Sequence, residues 1–189
     1  PHSIIPPSIK IIVVSMHFSM THSGMTLFCL FEPIVVKRDP GVLVFDVVVV
    51  PIGGGGLCSG ISFVAKMLNP SCKVIGVEPY GGDTMHRSFE RGEPQKLDAV
   101  DTIADSLGAP FALPYSYTVC RQYVDEIVRV QDSEISEAMS MLYNDMKIAV
   151  EPACAISTAA LSGPLRNCFE GKTVVLVFCG SNIDWATFN

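Results

Sequence analysis

Four consecutive glycines, Gly53, Gly54, Gly55 and Gly56, are the residues in this chain best placed to do chemistry, and they would do it without a reactive side chain. Lacking Cβ atoms, successive peptides can turn sharply and aim their N–H groups at one point, and a helix starting there adds its positive dipole end. An anion, above all a phosphate, is favoured in such a place. The plainer reading is a turn that needs glycine only for positive φ, but four in a row cost entropy that an ordinary loop need not incur. No Gly-Lys-Ser/Thr follows, which excludes a P-loop nucleotide site. The dinucleotide pattern G-x-G-x-x-G is met in part: Gly53 and Gly55 are correctly spaced, Cys58 stands in the third position, and Glu78 falls where a ribose-binding acid would. An NAD-binding domain therefore stays open as a competing reading.

The elements that would hold this loop can be read on either side of it. Val42 to Val50 is a continuous β-branched run interrupted only by Leu43, Phe45 and Asp46, as expected of a strand buried on both faces of a parallel sheet. After the glycines, Leu57, Ile61, Val64, Ala65 and Leu68 recur with helical spacing and predict an apolar helix face, stopped by Asn69-Pro70. Lys73 to Val77 is a second strand, which completes a β-loop-α-β unit. Arg91 to Pro94 reads as a turn, and the stretch to Tyr117 as mostly loop. Glu126 to Val130 is a further strand, followed by a helix capped by Asp132 or Ser133 with Ile135, Ala138, Met139 and Leu142 on its inner face. Glu151-Pro152 opens a small-residue helix over Ala153 to Leu161, and Thr173 to Phe178 is the last buried strand. The fold class is α/β, a parallel sheet with flanking helices.

Residues 1–40 show no sustained period of 2 or 3.6 and are broken by prolines, so they form a leader that is either a core strand or unstructured. No charge occurs between Lys10 and Glu32, but Ser15, His17, Ser19, Thr21, His22, Ser23 and Gly24 interrupt the stretch, which argues against a membrane span or signal peptide. The first residue is Pro1 rather than Met, so the 189 residues are expected to be a piece of something longer or an imperfect gene product.

Composition removes whole classes of function. Hydrophobic residues make up 49% and charged residues 17%, enough for a core and too apolar for disorder. The net charge of −6 argues against nucleic acid as a partner. The seven cysteines are odd in number and form no C-x-x-C pair, which points to a reducing compartment, the cytoplasm. The four histidines have no zinc-ligand spacing.

Taken in order, Val49-Val50-Pro51-Ile52-Gly53-Gly54-Gly55-Gly56-Leu57, Val74-Ile75-Gly76-Val77-Glu78-Pro79, Asp101-Thr102-Ile103-Ala104-Asp105, Val150-Glu151-Pro152-Ala153 and Cys179-Gly180-Ser181-Asn182-Ile183-Asp184 resemble the C-terminal part of the serine/threonine dehydratases. These are fold-type-II pyridoxal-phosphate (PLP) enzymes of the tryptophan-synthase-beta-like fold, related to serine racemase. The resemblance implies that residues 41–189 are a PLP-phosphate-binding portion of the larger domain of that fold, incomplete here. It implies that Gly53, Gly54, Gly55, Gly56 and Leu57 cradle the cofactor phosphate, that Cys179 meets the pyridine nitrogen, and that Glu151 supports the cofactor. On the residues alone, Cys179 reads as a small buried residue after a strand and Glu151 as a helix-start carboxylate. Some relatives bind a divalent cation through positions that fall on Glu78, Gly82 and Thr84. Thr84 replaces the acid and Asp83 comes one position early; oxygen ligands would suit magnesium or calcium.

The implied reaction is β-elimination of a small hydroxy amino acid, serine or threonine, to a 2-oxo acid and ammonia. It needs a lysine to hold PLP as a Schiff base. Relatives carry that lysine in an S-F-K-x-R-G segment ahead of a Ser-Ser-Gly-Asn loop, and neither string is present. None of Lys10, Lys37, Lys66, Lys73, Lys96, Lys147 and Lys172 lies in such a context. The expectation is a PLP-dependent ammonia-lyase fragment that is silent alone, with a non-catalytic PLP- or anion-binding or interaction fragment as the alternative. An incomplete domain interface would expose apolar surface and favour a homo-oligomer.

Overall fold

The computed structural model describes residues 8–15, 17–21, 24–28, 33–34 and 45–183. The valine run forms β5 (Val47–Pro51), and its alternating side chains serve two cores. Val47 and Val49 pack on one side of the sheet, Val48 and Val50 on the other. The neighbouring strands β6 (Lys73–Pro79) and β8 (Thr173–Phe178) divide in the same way, Ile75 and Leu176 to the first core, Val74 and Val175 to the second. This two-sided burial is why an uninterrupted apolar strand is stable here. Val42 to Val44 of the predicted strand lie outside the described residues.

The sheet has six strands in the order β4-β1-β8-β5-β6-β7, with β1 (Lys10–Ser15), β4 (Pro33–Ile34) and β7 (Glu126–Val130) added to those above. All neighbours are parallel except β4, which runs antiparallel to β1. The segment ahead of Val42 thus contributes a strand: β1 pairs with β8 from Lys10↔Thr173 to Ser15↔Phe178. A separate antiparallel pair joins β2 (His17–Thr21) to β3 (Gly24–Phe28).

Helices α1 (Gly56–Leu68), α2 (Thr84–Arg91) and α3 (Pro114–Tyr123) cover the second core, and α4 (Asp132–Met141) and α5 (Pro152–Ser162) the first. Three local readings differ from expectation. In α1 the buried residues are Cys58, Ser59, Ser62 and Ala65, whereas Val64 and Leu68 are 47% and 73% exposed. The helix lies close to its neighbours through small side chains, and its hydroxyls stay satisfied: Ser62 Oγ donates to the Ser59 carbonyl at 3.1 Å and Ser59 Oγ to the Ser116 carbonyl at 3.4 Å. The expected loop to Tyr117 contains the start of α3, which opens with proline at its first turn. The cap of α4 is Gln131, whose N–H donates to Glu134 at 2.7 Å. Asp132 instead accepts from Thr102 Oγ1 at 2.6 Å and from the Ile103 N–H at 3.0 Å, which anchors the 101–105 loop.

Candidate active site

Strands β5 and β8 are parallel neighbours, but the chain leaves β5 for α1 on one face and reaches β8 through α5 on the other. The crevice at their carboxyl ends is therefore a topological switch point, where open α/β sheets bind ligands. A cavity of about 790 Å³ opens there. Gly53 to Gly56, Leu57 and Cys58 form one wall, and Cys179 to Asn182 another. Glu151, Ala153 and Cys154 bring the N-terminus of α5 to the same space, so two helix N-termini face it from opposite sides of the sheet.

The glycine loop is shaped by two different demands. Gly55 has φ 84°, and a Cβ there would lie 2.7 Å from Met85 Cε and 2.9 Å from Ser116 Cβ; at Gly53 it would lie 3.1 Å from the Leu107 Cα. Packing and backbone conformation therefore require glycine at these two positions. Gly54 and Gly56 are under no such demand: a Cβ at Gly54 would make only an ordinary contact at 3.8 Å with Ala109, and at Gly56 it would meet nothing within 4 Å. No side chain caps α1. Its first N–H groups are left for an anion, and room is kept beside them.

Cys179 and Glu151 meet the glycine loop across this cavity, so all seven residues expected at the cofactor line one space. Cys179 Sγ donates to the Ala153 carbonyl at 3.7 Å. The neighbouring Cys154 and burial raise the Cys179 pKa, while Cys179 lowers that of Cys154 against the raising effect of burial. Cys179 therefore stays a neutral thiol. Glu151 is buried, and burial raises its carboxyl pKa against the lowering effect of the Asn182 N–H. Its N–H reaches the Gly180 carbonyl at 3.5 Å, and any Cβ at Gly180 would collide with Glu151 Oε1.

Glu78, Gly82 and Thr84 lie apart from the cavity, at the start of α2. Glu78 is fully buried and accepts from the N–H groups of Met85 at 2.8 Å and His86 at 2.7 Å. Burial still pushes its carboxyl up to about 8. Its two oxygens are committed to the helix start, which removes the acid that the NAD reading required. Thr84 Oγ1 donates to the Ala109 carbonyl at 2.7 Å, and Asp83 binds Arg87 at 2.7 Å and Arg129 at 2.8 Å. Among the described residues no group of three His, Cys, Asp or Glu side chains could hold a metal ion.

Sequence reasoning missed Ser106, Leu107, Ile148, Ala149 and Cys154 as walls of the cavity. Leu107 acts through its backbone against Gly53, a contact with no side-chain signature. Among the described residues no lysine lines the cavity; Lys147, next to Ile148, turns its Nζ to the Asn144 carbonyl at 2.9 Å.

Residues 35–180 match the sequence profile of the family described as pyridoxal-phosphate dependent enzyme. Phenylserine dehydratase of Ralstonia pickettii is 54% identical over 143 residues, covering 76% of this chain and 44% of the relative. Serine racemase of Arabidopsis thaliana is 40% identical over 151 residues, covering 76% of this chain and 45% of the relative. The structure of maize serine racemase superposes with a TM-score of 0.71 at 38% identity, over 76% of this chain and 44% of that one. With its switch-point cavity and glycine cradle, this chain belongs to the pyridoxal-phosphate-dependent enzymes of fold type II, in the dehydratase and racemase branch. It spans less than half the length of these relatives. No helix among the described residues is long and apolar enough to cross a membrane.

Proposed function

We propose that the chain is the phosphate-holding part of a PLP-dependent ammonia-lyase that converts a 2-amino-3-hydroxy acid into a 2-oxo acid and ammonia. The observation that carries this reading is the pair Gly54 and Gly56, glycines that the protein's own packing does not demand, beside an uncapped helix start. The N–H groups of the glycine loop and Leu57 would bind the cofactor phosphate. The neutral Cys179 thiol would face the ring nitrogen without enforcing its protonation, and Glu151, whose carboxyl pKa burial raises, would stand beside it at the cavity wall. When bound, PLP supplies an electron sink for the charge left on the substrate Cα. Serine and threonine are the substrates suggested by the motif resemblance. The likeness to a phenylserine dehydratase adds an aryl-substituted hydroxy acid, which the apolar Leu107, Ile148 and Phe178 of the cavity wall would suit. With no lysine on that wall, the 189 residues alone are expected to bind cofactor without turnover. The six free cysteines among the described residues suit a reducing compartment such as the cytoplasm.

Titration of the chain with PLP, pyridoxal and NAD tests the cradle. PLP should bind at least about tenfold more tightly than pyridoxal, inorganic phosphate should compete, and NAD should not bind. Gly56→Ala, which the protein itself can accommodate, should weaken PLP and leave pyridoxal unchanged. Equal affinity for PLP and pyridoxal would refute the cradle. Borohydride reduction with PLP should give no pyridoxyl-lysine, and serine, threonine and phenylserine should release no ammonia; both products together would overturn the expectation of a silent chain.

A further inference from the structure

Among the described residues, Cys154 and Cys179 are a pair of cysteines that both line the cavity and shift each other's titration. The second such pair, Cys58 and Cys120, differs: Cys120 is fully buried, against the Gly55 carbonyl and Ser59, and does not reach the cavity wall. The geometry around Cys154 and Cys179 brings two main-chain segments side by side. Glu151 donates its N–H to the carbonyl of Gly180, and Cys179 Sγ lies 3.7 Å from the carbonyl of Ala153, the residue before Cys154. Both thiols are free. Cys154 sits in the first turn of α5, where the helix dipole favours a thiolate, and the neighbouring Cys179 lowers its pKa further. Cys179 is partly open to solvent, and Cys154, though only 1% exposed, lines the same cavity wall, which is the route for a small oxidant.

We propose that Cys154 and Cys179 form an oxidisable dithiol in the cavity wall, which peroxide closes to a disulfide and thereby lowers the affinity of the cavity for PLP. The Cys154 thiolate attacks one oxygen of hydrogen peroxide, breaking the O–O bond and leaving a sulfenic acid and hydroxide. Cys179 then attacks that sulfur, forming the S–S bond and expelling a second hydroxide. The two thiol protons complete two molecules of water; two electrons pass from the sulfurs to the peroxide oxygens. The closed pair removes the thiol that would face the ring nitrogen and ties the end of β8 to the start of α5. The disulfide rests on the adjacency of the two segments and their shared cavity wall; its effect on PLP rests on the proposed function.

The test exposes the chain to hydrogen peroxide, maps thiols and cross-linked peptides by mass spectrometry, and titrates PLP before oxidation, after it, and after reduction with dithiothreitol. The expected result is one Cys154–Cys179 linkage, Cys58 and Cys120 still reduced, PLP affinity lowered at least about tenfold, and recovery on reduction. Cys154→Ser should make PLP affinity the same before and after peroxide, and mapping of the unsubstituted chain decides the linkage if that variant fails to fold. The proposal is overturned if both thiols stay reduced, if each is oxidised singly to a sulfinic acid, or if the linked chain binds PLP as well as the reduced one. Failure of the reduced chain to bind PLP would instead remove the proposed function, while the peptide map still decides the disulfide.

Discussion

Single residues around the cavity carry separable loads, and substitutions distinguish them. Gly55→Ala places a Cβ at positive φ against Met85 and Ser116, so it should lower folding stability by about 1–3 kcal/mol in urea titration as well as abolish PLP binding. Gly56→Ala should leave the urea midpoint unchanged. Asp83 is buried but its partners Arg87 and Arg129 keep contact with solvent, so Asp83→Ala should cost about 1 kcal/mol, read in urea titration. The place of the glycine loop at the cavity wall was legible in the sequence because its four members are adjacent between a strand and a helix. The contact of Cys179 with the Ala153 carbonyl was not, because it joins segments 26 residues apart through an unremarkable thiol. Leu107 was invisible for a deeper reason: what matters there is main chain, which every residue shares.

At the scale of elements, helix ends are where the sequence and the structure diverge. A five-residue π turn, Leu142–Met146, follows α4 and closes on Lys147 at φ 59°, the sole non-glycine residue with positive φ among those described. Lys147→Gly should relieve this strain and raise stability by about 0.5–1 kcal/mol, read as a higher melting temperature. The start of α2 should make stability depend on pH. Glu78 has a folded pKa pushed up to about 8, above its unfolded value, so the folded state binds more protons between the two. Its contribution therefore falls as pH rises from about 4.5 toward 8. Unfolding titrations across that range should show a shallower decline for Glu78→Gln than for the unsubstituted chain. Strand β8 was read with the bounds observed because both its faces are apolar. The face of α1 was misphased because Ser59 and Ser62, polar by type, sit inward where small size matters more than hydropathy.

For the whole molecule, the parallel sheet and its helical layers were legible from the alternation of buried strands and amphipathic segments. The place of β1 was not, since one strand among prolines carries no period that names its neighbour. That strand covers one edge of β8, a Thr-Val-Val-Leu-Val-Phe segment with strong β propensity. Removing residues 1–16 should uncover this edge and promote aggregation, measured by light scattering of the shortened chain against the full one.

Because β8 lies between β1 and β5, the centre of the sheet is supplied by residues far downstream of its flanks: Asp46 Oδ2 accepts from the N–H of Thr173, 127 positions later. During synthesis the two flanks are made well before the strand that joins them, so the sheet closes only through a pairing distant in sequence, which is slower to form than a local contact.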